Sequence, residues 1–176
     1  MFKAMFAAAF LILAGAAHGP SEEMFDRLEQ APTDEEAESV AMDIWASWLE
    51  SGSPTVDILM ERAVEAQAYG DVKHARELYD RVIRIQPDYA EGWHRRASLF
   101  LQREQYDEAL RDLNETLRCE PRHFGAWYTL GTMLESLGSQ KEALDAYREA
   151  LEIYPRMEAA EQGVARLQQA VDGTAL

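Results

Sequence analysis

The stretch that decides the fold is residues 124–157, FGAWYTLGTMLESLGSQKEALDAYREALEIYPRM. Its first half carries apolar and small residues at helical spacing: Trp127, Leu130, Gly131 and Leu134. After Gly138–Ser139 the second half repeats the pattern with Ala143, Leu144, Tyr147, Ala150 and Leu151. Gly138 suits a helix C-terminus, and Pro155 ends a helix because it has no backbone N–H. The stretch predicts two helices joined by a tight turn.

The same pattern recurs twice upstream, each time 34 residues earlier. Five columns hold this register: Leu59/Trp93/Trp127, Ala63/Ala97/Gly131, Ala75/Ala109/Ala143, Tyr79/Leu113/Tyr147 and Pro87/Pro121/Pro155. The small columns allow paired helices to approach closely, and the large columns fill the space above and below them. We therefore predict three repeats, at residues 56–89, 90–123 and 124–157, within a repeat region of 54–157.

These columns resemble the motif of the tetratricopeptide repeat family, Trp-x-x-Leu-Gly-x-x-Tyr, then Ala-x-x-x-Phe, then Pro. The third repeat matches best; Arg96 replaces the motif leucine in the second, and Leu59 replaces the tryptophan in the first. The prediction is an all-α fold, an α-α solenoid of three tetratricopeptide-like helical hairpins. An N-terminal helical segment precedes them, and a C-terminal capping helix and tail, residues 158–176, follows.

The first 17 residues have the layout of a secretory signal peptide. Lys3 is followed by an apolar run from Ala4 to Ala14 and then by small residues, so we expect cleavage after Ala16 or Ala17. The run is shorter than the roughly 20 apolar residues of a spanning helix. We expect a periplasmic or secreted protein, with no membrane contact unless the leader is retained as an anchor.

Residues 18–53 form an acidic segment, predicted to be helical. Thr33 and Glu36 make a capping box, and an apolar stripe downstream includes Trp45 and Trp48. The favoured interpretation is that the stripe caps the first repeat. The alternatives are that the segment folds into the repeat groove or recruits a partner itself. We also expect a carboxylate of this segment to pair with Arg62.

A candidate partner-binding groove follows from the repeats, because the resemblance implies that the first helix of each repeat lines a concave surface. Its candidate residues are Met60, Val64, Gln67, His94, Arg95, Ser98, Leu101, Tyr128, Thr132 and Glu135. Family members that grip chaperone C-terminal carboxylates use Lys, Asn and Arg in these columns, so that specificity is not expected here. The alternative is that these positions are half-exposed and bind nothing.

Charge and motif content narrow the function classes. The net charge of −15 disfavours nucleic acid and anionic membranes as partners. No metal, cofactor or catalytic motif is recognisable in the sequence, and the single cysteine, Cys119, shares a column with Ile85 and Ile153 and is expected in the core. We predict a non-catalytic protein–protein interaction module, a scaffold or chaperone-like adaptor that binds another protein or peptide. The alternatives are a self-associating structural protein, using a Trp45/Trp48 face, and an enzyme.

Overall fold

The computed structural model describes residues 19–173, and within that range the chain forms nine helices and no strand. The predicted leader lies outside the described residues. No helix in the described range is long and apolar enough to cross a membrane. The helices are α1 (Glu22–Glu29), α2 (Asp34–Leu49), α3 (Pro54–Ala68), α4 (Val72–Ile85), α5 (Ala90–Leu101), α6 (Tyr106–Cys119), α7 (Phe124–Ser136), α8 (Gln140–Ile153) and α9 (Glu158–Gly173).

Three helical hairpins, α3–α4, α5–α6 and α7–α8, stack in a line, which confirms the predicted all-α solenoid. The small columns lie where the two helices of each hairpin meet: Ala63, Ala75, Ala97, Ala109 and Ala143 are completely buried. The large column is equally buried, at Tyr79, Leu113 and Tyr147. Each hairpin also packs on the next, because α4 contacts α5 and α6 contacts α7.

The column tryptophans tie each hairpin to the loop before it. Trp93 Nε1 donates to the carbonyl oxygen of Pro87 at 2.9 Å, and Trp127 Nε1 donates to that of Pro121 at 3.0 Å. Both tryptophan side chains are half-buried, and each indole N–H has a hydrogen-bond acceptor. The Leu59 side chain has no hydrogen-bond donor and is buried.

Arg96, which replaces the motif leucine, joins two repeats by ion pairs. Its guanidinium donates to both carboxylate oxygens of Asp112 in α6, at 2.7 and 2.8 Å, and to Asp80 in α4 at 2.6 Å. The planar guanidinium places the largely buried positive charge of Arg96 against two carboxylates, while the aliphatic part of the side chain covers apolar surface. Arg96 therefore links the first and second hairpins through polar contacts, at a position where the family motif has an apolar leucine.

Helix α9 covers the end of the last hairpin. The ring of Tyr147 in α8 lies between two glycines, Gly131 of α7 and Gly163 of α9. The Tyr147 hydroxyl donates to Glu135 at 2.8 Å, and Glu135 in turn accepts from Arg166 of α9. The close approach of three helices around one aromatic ring thus requires two residues without side chains.

The acidic segment forms a helical hairpin, α1–α2, that lies along one edge of the solenoid and contacts α5 and α8. Thr33 caps α2 by accepting from the backbone N–H of Glu36, which is the threonine half of the predicted capping box. The favoured interpretation, a cap on the first repeat, is wrong. The apolar stripe packs on Phe124 of α7, and near Ile153, Tyr154 and Met157 at the end of α8.

The hairpin docks on the loops that precede α5, α7 and α9. Equivalent arginines 34 residues apart reach its carboxylates: Arg122 pairs with Glu22 at 2.6 Å, and Arg156 pairs with Asp34. The next column behaves alike, because the Tyr89 hydroxyl donates to the Leu49 carbonyl and His123 stacks on Trp48. The α1–α2 hairpin is therefore held in register with the repeats.

Two single-residue predictions need correction. Arg62 is exposed, and no ion pair joins it to another described residue, because the α1–α2 hairpin lies along the loop edge. Cys119 is half-buried and Ile85 is 51% exposed, so their column is not core. Burial still raises the pKa of the Cys119 thiol, which makes it a weak nucleophile.

Gly131→Ala should destabilise the protein, although alanine normally favours a helix over glycine by about 1 kcal/mol. An added Cβ would lie 2.7 Å from Tyr147 ring atoms. Overpacking of this kind costs about 1–3 kcal/mol, so we expect a net loss of about 1 kcal/mol in the free energy of urea unfolding.

Gly163→Ala should behave in the same way, since its Cβ would meet the opposite side of the ring at 2.7 Å. Ala165→Gly, at an exposed position of α9, measures the intrinsic helix preference as a control. Stabilisation by either Gly→Ala change would contradict the tight packing around Tyr147.

Candidate functional site

The candidate groove is formed by adjacent faces of α3 and α5. The groove is lined on one side by Val64, Gln67 and Ala68 of α3. On the other side it is lined by Arg95 and Ser98 of α5 and by Gln102, the residue directly after α5. Val64 is 40% exposed, and Ala68 and Gln102 are also exposed, so the groove is open to solvent. Four predicted groove residues, Val64, Gln67, Arg95 and Ser98, are thus brought together.

Two predicted groove residues are not on the open surface. Met60 is 5% exposed and packs in the core of the first repeat with Val56 and Tyr89. His94 is 7% exposed because the ring of Trp45 lies 5.7 Å from its own. The α1–α2 hairpin therefore covers one end of the groove that the repeats alone would leave open.

Of the remaining predicted groove residues, two contact Tyr147 and two are half-exposed outside the α3–α5 groove. Gln67 accepts from the Tyr79 hydroxyl at 2.9 Å, just as Glu135 accepts from that of Tyr147, so the pair recurs in the first and third repeats. Tyr128 is half-buried, with its ring 5.7 Å from that of Tyr147. Leu101 and Thr132 are half-exposed and do not line the α3–α5 groove.

Beneath the α1–α2 hairpin lies a buried polar network of Glu91, His94 and His123. The same carboxylate oxygen of Glu91 lies 3.1 Å from His94 Nδ1 and 3.1 Å from His123 Nε2. The other oxygen accepts from Arg95. His94 Nε2 also lies 3.4 Å from the Thr129 hydroxyl. A carboxylate that is 1% exposed is thereby fully hydrogen-bonded, as burial of charge requires.

The network sets the protonation states of its members. Burial by itself raises the pKa of Glu91, but the adjacent His94 and hydrogen bonds from His123 and His94 hold it well below its usual range. For His123, burial and the neighbouring His94 lower the pKa to about 4, against the opposing effect of Glu91. Glu91 is therefore ionised and His123 neutral at physiological pH.

One carboxylate and two imidazoles are also a familiar metal-ligand set, and their ligand atoms lie within 4.8 Å of one another. The tautomer of His123 argues against that use. Its Nδ1 accepts from the backbone N–H of Ala126 at 3.0 Å, so Nε2 carries the ring proton and donates to Glu91. A histidine that binds metal through Nε2 normally donates through Nδ1. The arrangement suits a hydrogen-bond network and does not fit a metal.

Two tryptophans of α2 cover this network. Trp48 stacks face to face on His123, with ring centroids 4.0 Å apart and planes at 4°. Trp45 lies edge-on to Trp48 and sits over Gly125, where a Cβ would lie 2.5 Å from its ring. Trp48 is 5% exposed and Trp45 is half-buried, so the predicted Trp45/Trp48 self-association face is not available on the surface.

The sequence shows no recognisable metal or catalytic motif at Glu91 and His123, because these residues have no characteristic local spacing. Glu91 and His94 are three apart, and His123 precedes the next repeat's first helix, 32 residues beyond Glu91. The 34-residue period is the sequence feature that could have identified this edge of the solenoid. Arg122/Arg156 and Tyr89/His123/Met157 are further columns, outside the family motif, and they mark the docking edge.

Comparison with known proteins agrees with this architecture. A family model described as tetratricopeptide repeat matches residues 94–158. A TPR repeat-containing protein of Rhizobium etli is 33% identical over 152 residues, which cover 86% of this chain and 74% of the relative. The chain belongs to the tetratricopeptide repeat family.

Solved tetratricopeptide repeat domains share the fold at low sequence identity. The first TPR of Spaghetti (RPAP3), solved with an HSP90 peptide, is 20% identical with a TM-score of 0.63, covering 66% of this chain and 93% of that one. The Sgt2 TPR domain from Aspergillus fumigatus is 22% identical with a TM-score of 0.64, covering 70% and 83%. The family's general role is protein–protein interaction.

Acidification should weaken the fold through His123. The unfolded chain has a histidine of ordinary pKa, about 6.5, whereas the folded value is about 4. Between these values the unfolded state binds more protons, so stability is lost as pH falls from 6.5 towards 4. We expect urea unfolding at pH 5 to show about 2 kcal/mol less stability than at pH 7 from this group.

The variant His123→Asn should reduce that pH dependence, since asparagine can still cap α7 but does not titrate. His74→Gln, at an exposed histidine, is the matched control and should leave the difference between pH 7 and pH 5 unchanged. An unaltered pH dependence in His123→Asn would show that this histidine is not its source.

Proposed function

We propose that the chain is a non-catalytic interaction module of the periplasm or cell envelope, a scaffold or chaperone-like adaptor. It binds a peptide or helix of a partner protein in the groove between α3 and α5. The observation that carries the proposal is that this groove stays open although the α1–α2 hairpin covers the adjoining surface at His94. Membership of a family of interaction modules supports it.

The groove lining indicates the chemistry of the occupant. Val64 and Ala68 offer apolar contact, whereas Gln67, Ser98 and Gln102 offer amide and hydroxyl groups for backbone hydrogen bonds. Arg95 is partly exposed, but its guanidinium already pairs with the buried Glu91. A segment with a small apolar anchor fits this lining better than one that relies on a terminal carboxylate.

Two further lines support parts of the proposal. The first TPR of Spaghetti was solved with a bound HSP90 peptide, and the shared fold makes peptide binding by the same kind of surface a reasonable hypothesis. The expected export has its support in the sequence of the first 17 residues. Mass spectrometry of the mature protein should locate its first residue directly after Ala16 or Ala17.

Val64→Asp should weaken partner binding without unfolding the protein, since the side chain is 40% exposed. A crosslinking residue placed at Ser98 first identifies the partner in the envelope, and calorimetry with the purified partner then gives Kd. Burying the new carboxylate against an apolar anchor should raise Kd by about tenfold or more.

The control is Arg81→Ala, an exposed change on α4 away from the groove, which should bind as the unmodified protein does. If Val64→Asp and the control bind equally well, the α3–α5 groove is not the binding site. A partner captured with equal yield from a crosslinker at Arg81 would also count against the proposal.

A further inference from the structure

One face of α3 carries exposed side chains, and three of the positions on this face are buried or half-buried in the later repeats. The α3 stripe, defined as Ile58, Arg62, Glu65 and Tyr69, follows helical spacing along α3 and ends at Tyr69, the residue directly after the helix. Ile58 is 51% exposed and Tyr69 is 83% exposed, which is unusual for residues of this size.

Three of the equivalent positions in α5 and α7 face the preceding hairpin. Ile58 corresponds to Gly92, whose added Cβ would lie 2.9 Å from Val82 of α4. Arg62 corresponds to Arg96, which pairs with Asp80 of α4. Glu65 corresponds to Leu99 and Met133, which are 1% and 3% exposed. These three stripe positions thus belong to an inter-repeat face, whereas Tyr69 corresponds to the exposed Arg103 and Leu137 and extends that face.

No described helix covers this face. The α1–α2 hairpin lies on the loop edge and contacts α5 and α8, so it leaves the α3 stripe exposed. Unlike the polar outer face expected of an end repeat, the stripe has a large apolar group at each end and one charge of each sign between them. That order of groups determines which surface can pair with it.

We propose that the α3 stripe binds the α3 stripe of a second copy of this chain, with the two helices antiparallel about a two-fold axis. In that register Arg62 of each copy faces Glu65 of the other, and Ile58 faces Tyr69, because both pairs are symmetric about the midpoint between residues 63 and 64. A two-fold interface requires such self-complementarity. The pairing yields two ion pairs flanked by two apolar contacts.

Charge favours the α3 stripe over the other surfaces of the molecule as the site at which two copies meet. The protein carries a net charge of −15, so two copies repel each other over most approaches. The α3 stripe is locally neutral and brings opposite charges together. A different protein would need the matching order of apolar and charged groups at the same spacing. A second copy of this chain has that order by symmetry.

Sedimentation velocity of the full chain tests the dimer between about 1 and 100 µM, the range in which a modest interface associates. We expect a concentration-dependent shift from the 20.0 kDa monomer to twice that mass. R62E alone and E65R alone should each weaken dimerisation about tenfold or more, because like charges then meet in both pairs.

Mixing the two variants provides the sharpest test. The R62E chain carries acids at both positions and the E65R chain carries bases at both, so an equimolar mixture should form a heterodimer. The double variant R62E/E65R should dimerise as the unmodified chain does. Circular dichroism should show unchanged helix content, since both side chains are exposed.

R81E, at an exposed arginine of α4, controls for the change in net charge and should leave the dimer intact. Three outcomes would overturn the proposal: a monomer throughout the concentration range, a dimer insensitive to R62E and E65R, or no association in the mixture. The second outcome would place self-association on another surface, and the first would leave the stripe as a solvated end of the solenoid.

Discussion

Close approach between the two helices of each repeat is the constraint on which the structure depends. Alanines that are completely buried, such as Ala97 and Ala109, stand where the helices meet, and a larger side chain there would force them apart. With the helices close, the aromatic and aliphatic columns fill the remaining space, and each hairpin presents an apolar side that only a neighbour can cover. The linear stack of hairpins and the helix α9 that covers its end both follow from this need for a neighbour.

The acidic N-terminal segment is the part of the structure that the repeat pattern does not explain, and it covers one edge of the repeat stack. Arg122 and Arg156 occupy the same place in successive repeats and pair with Glu22 and Asp34, while Trp48 stacks on His123. Exposed ion pairs contribute little on their own, so most of the docking energy comes from buried aromatic area. The charges select the register along the edge, and the tryptophans hold the hairpin over Glu91 and His94. One end of the concave surface is closed as a result.

The parts that were predictable are those encoded by short-range periodicity. Helical spacing and the 34-residue columns identify the three hairpins, because each column residue packs against neighbours in its own or the adjacent repeat. The docking of α1–α2 was not predictable in this way, since Glu22 and Arg122 are 100 residues apart. Glu91 looked like a surface acid among many, and its burial depends on Trp45, which local patterns do not place. The groove prediction failed at His94 for the same reason.

The distance along the chain between the α1–α2 hairpin and its binding edge has a consequence for how the molecule assembles. Repeats that contact only adjacent repeats can form as soon as they are synthesised, whereas long-range contacts form slowly. The α1–α2 hairpin can therefore dock only after residues far along the chain have folded, because Asp34 pairs with Arg156, 122 residues later. Until then Phe25, Trp45 and Trp48 stay uncovered. Burial of Trp48 against His123 and Phe124 therefore marks the completion of the fold and not its start.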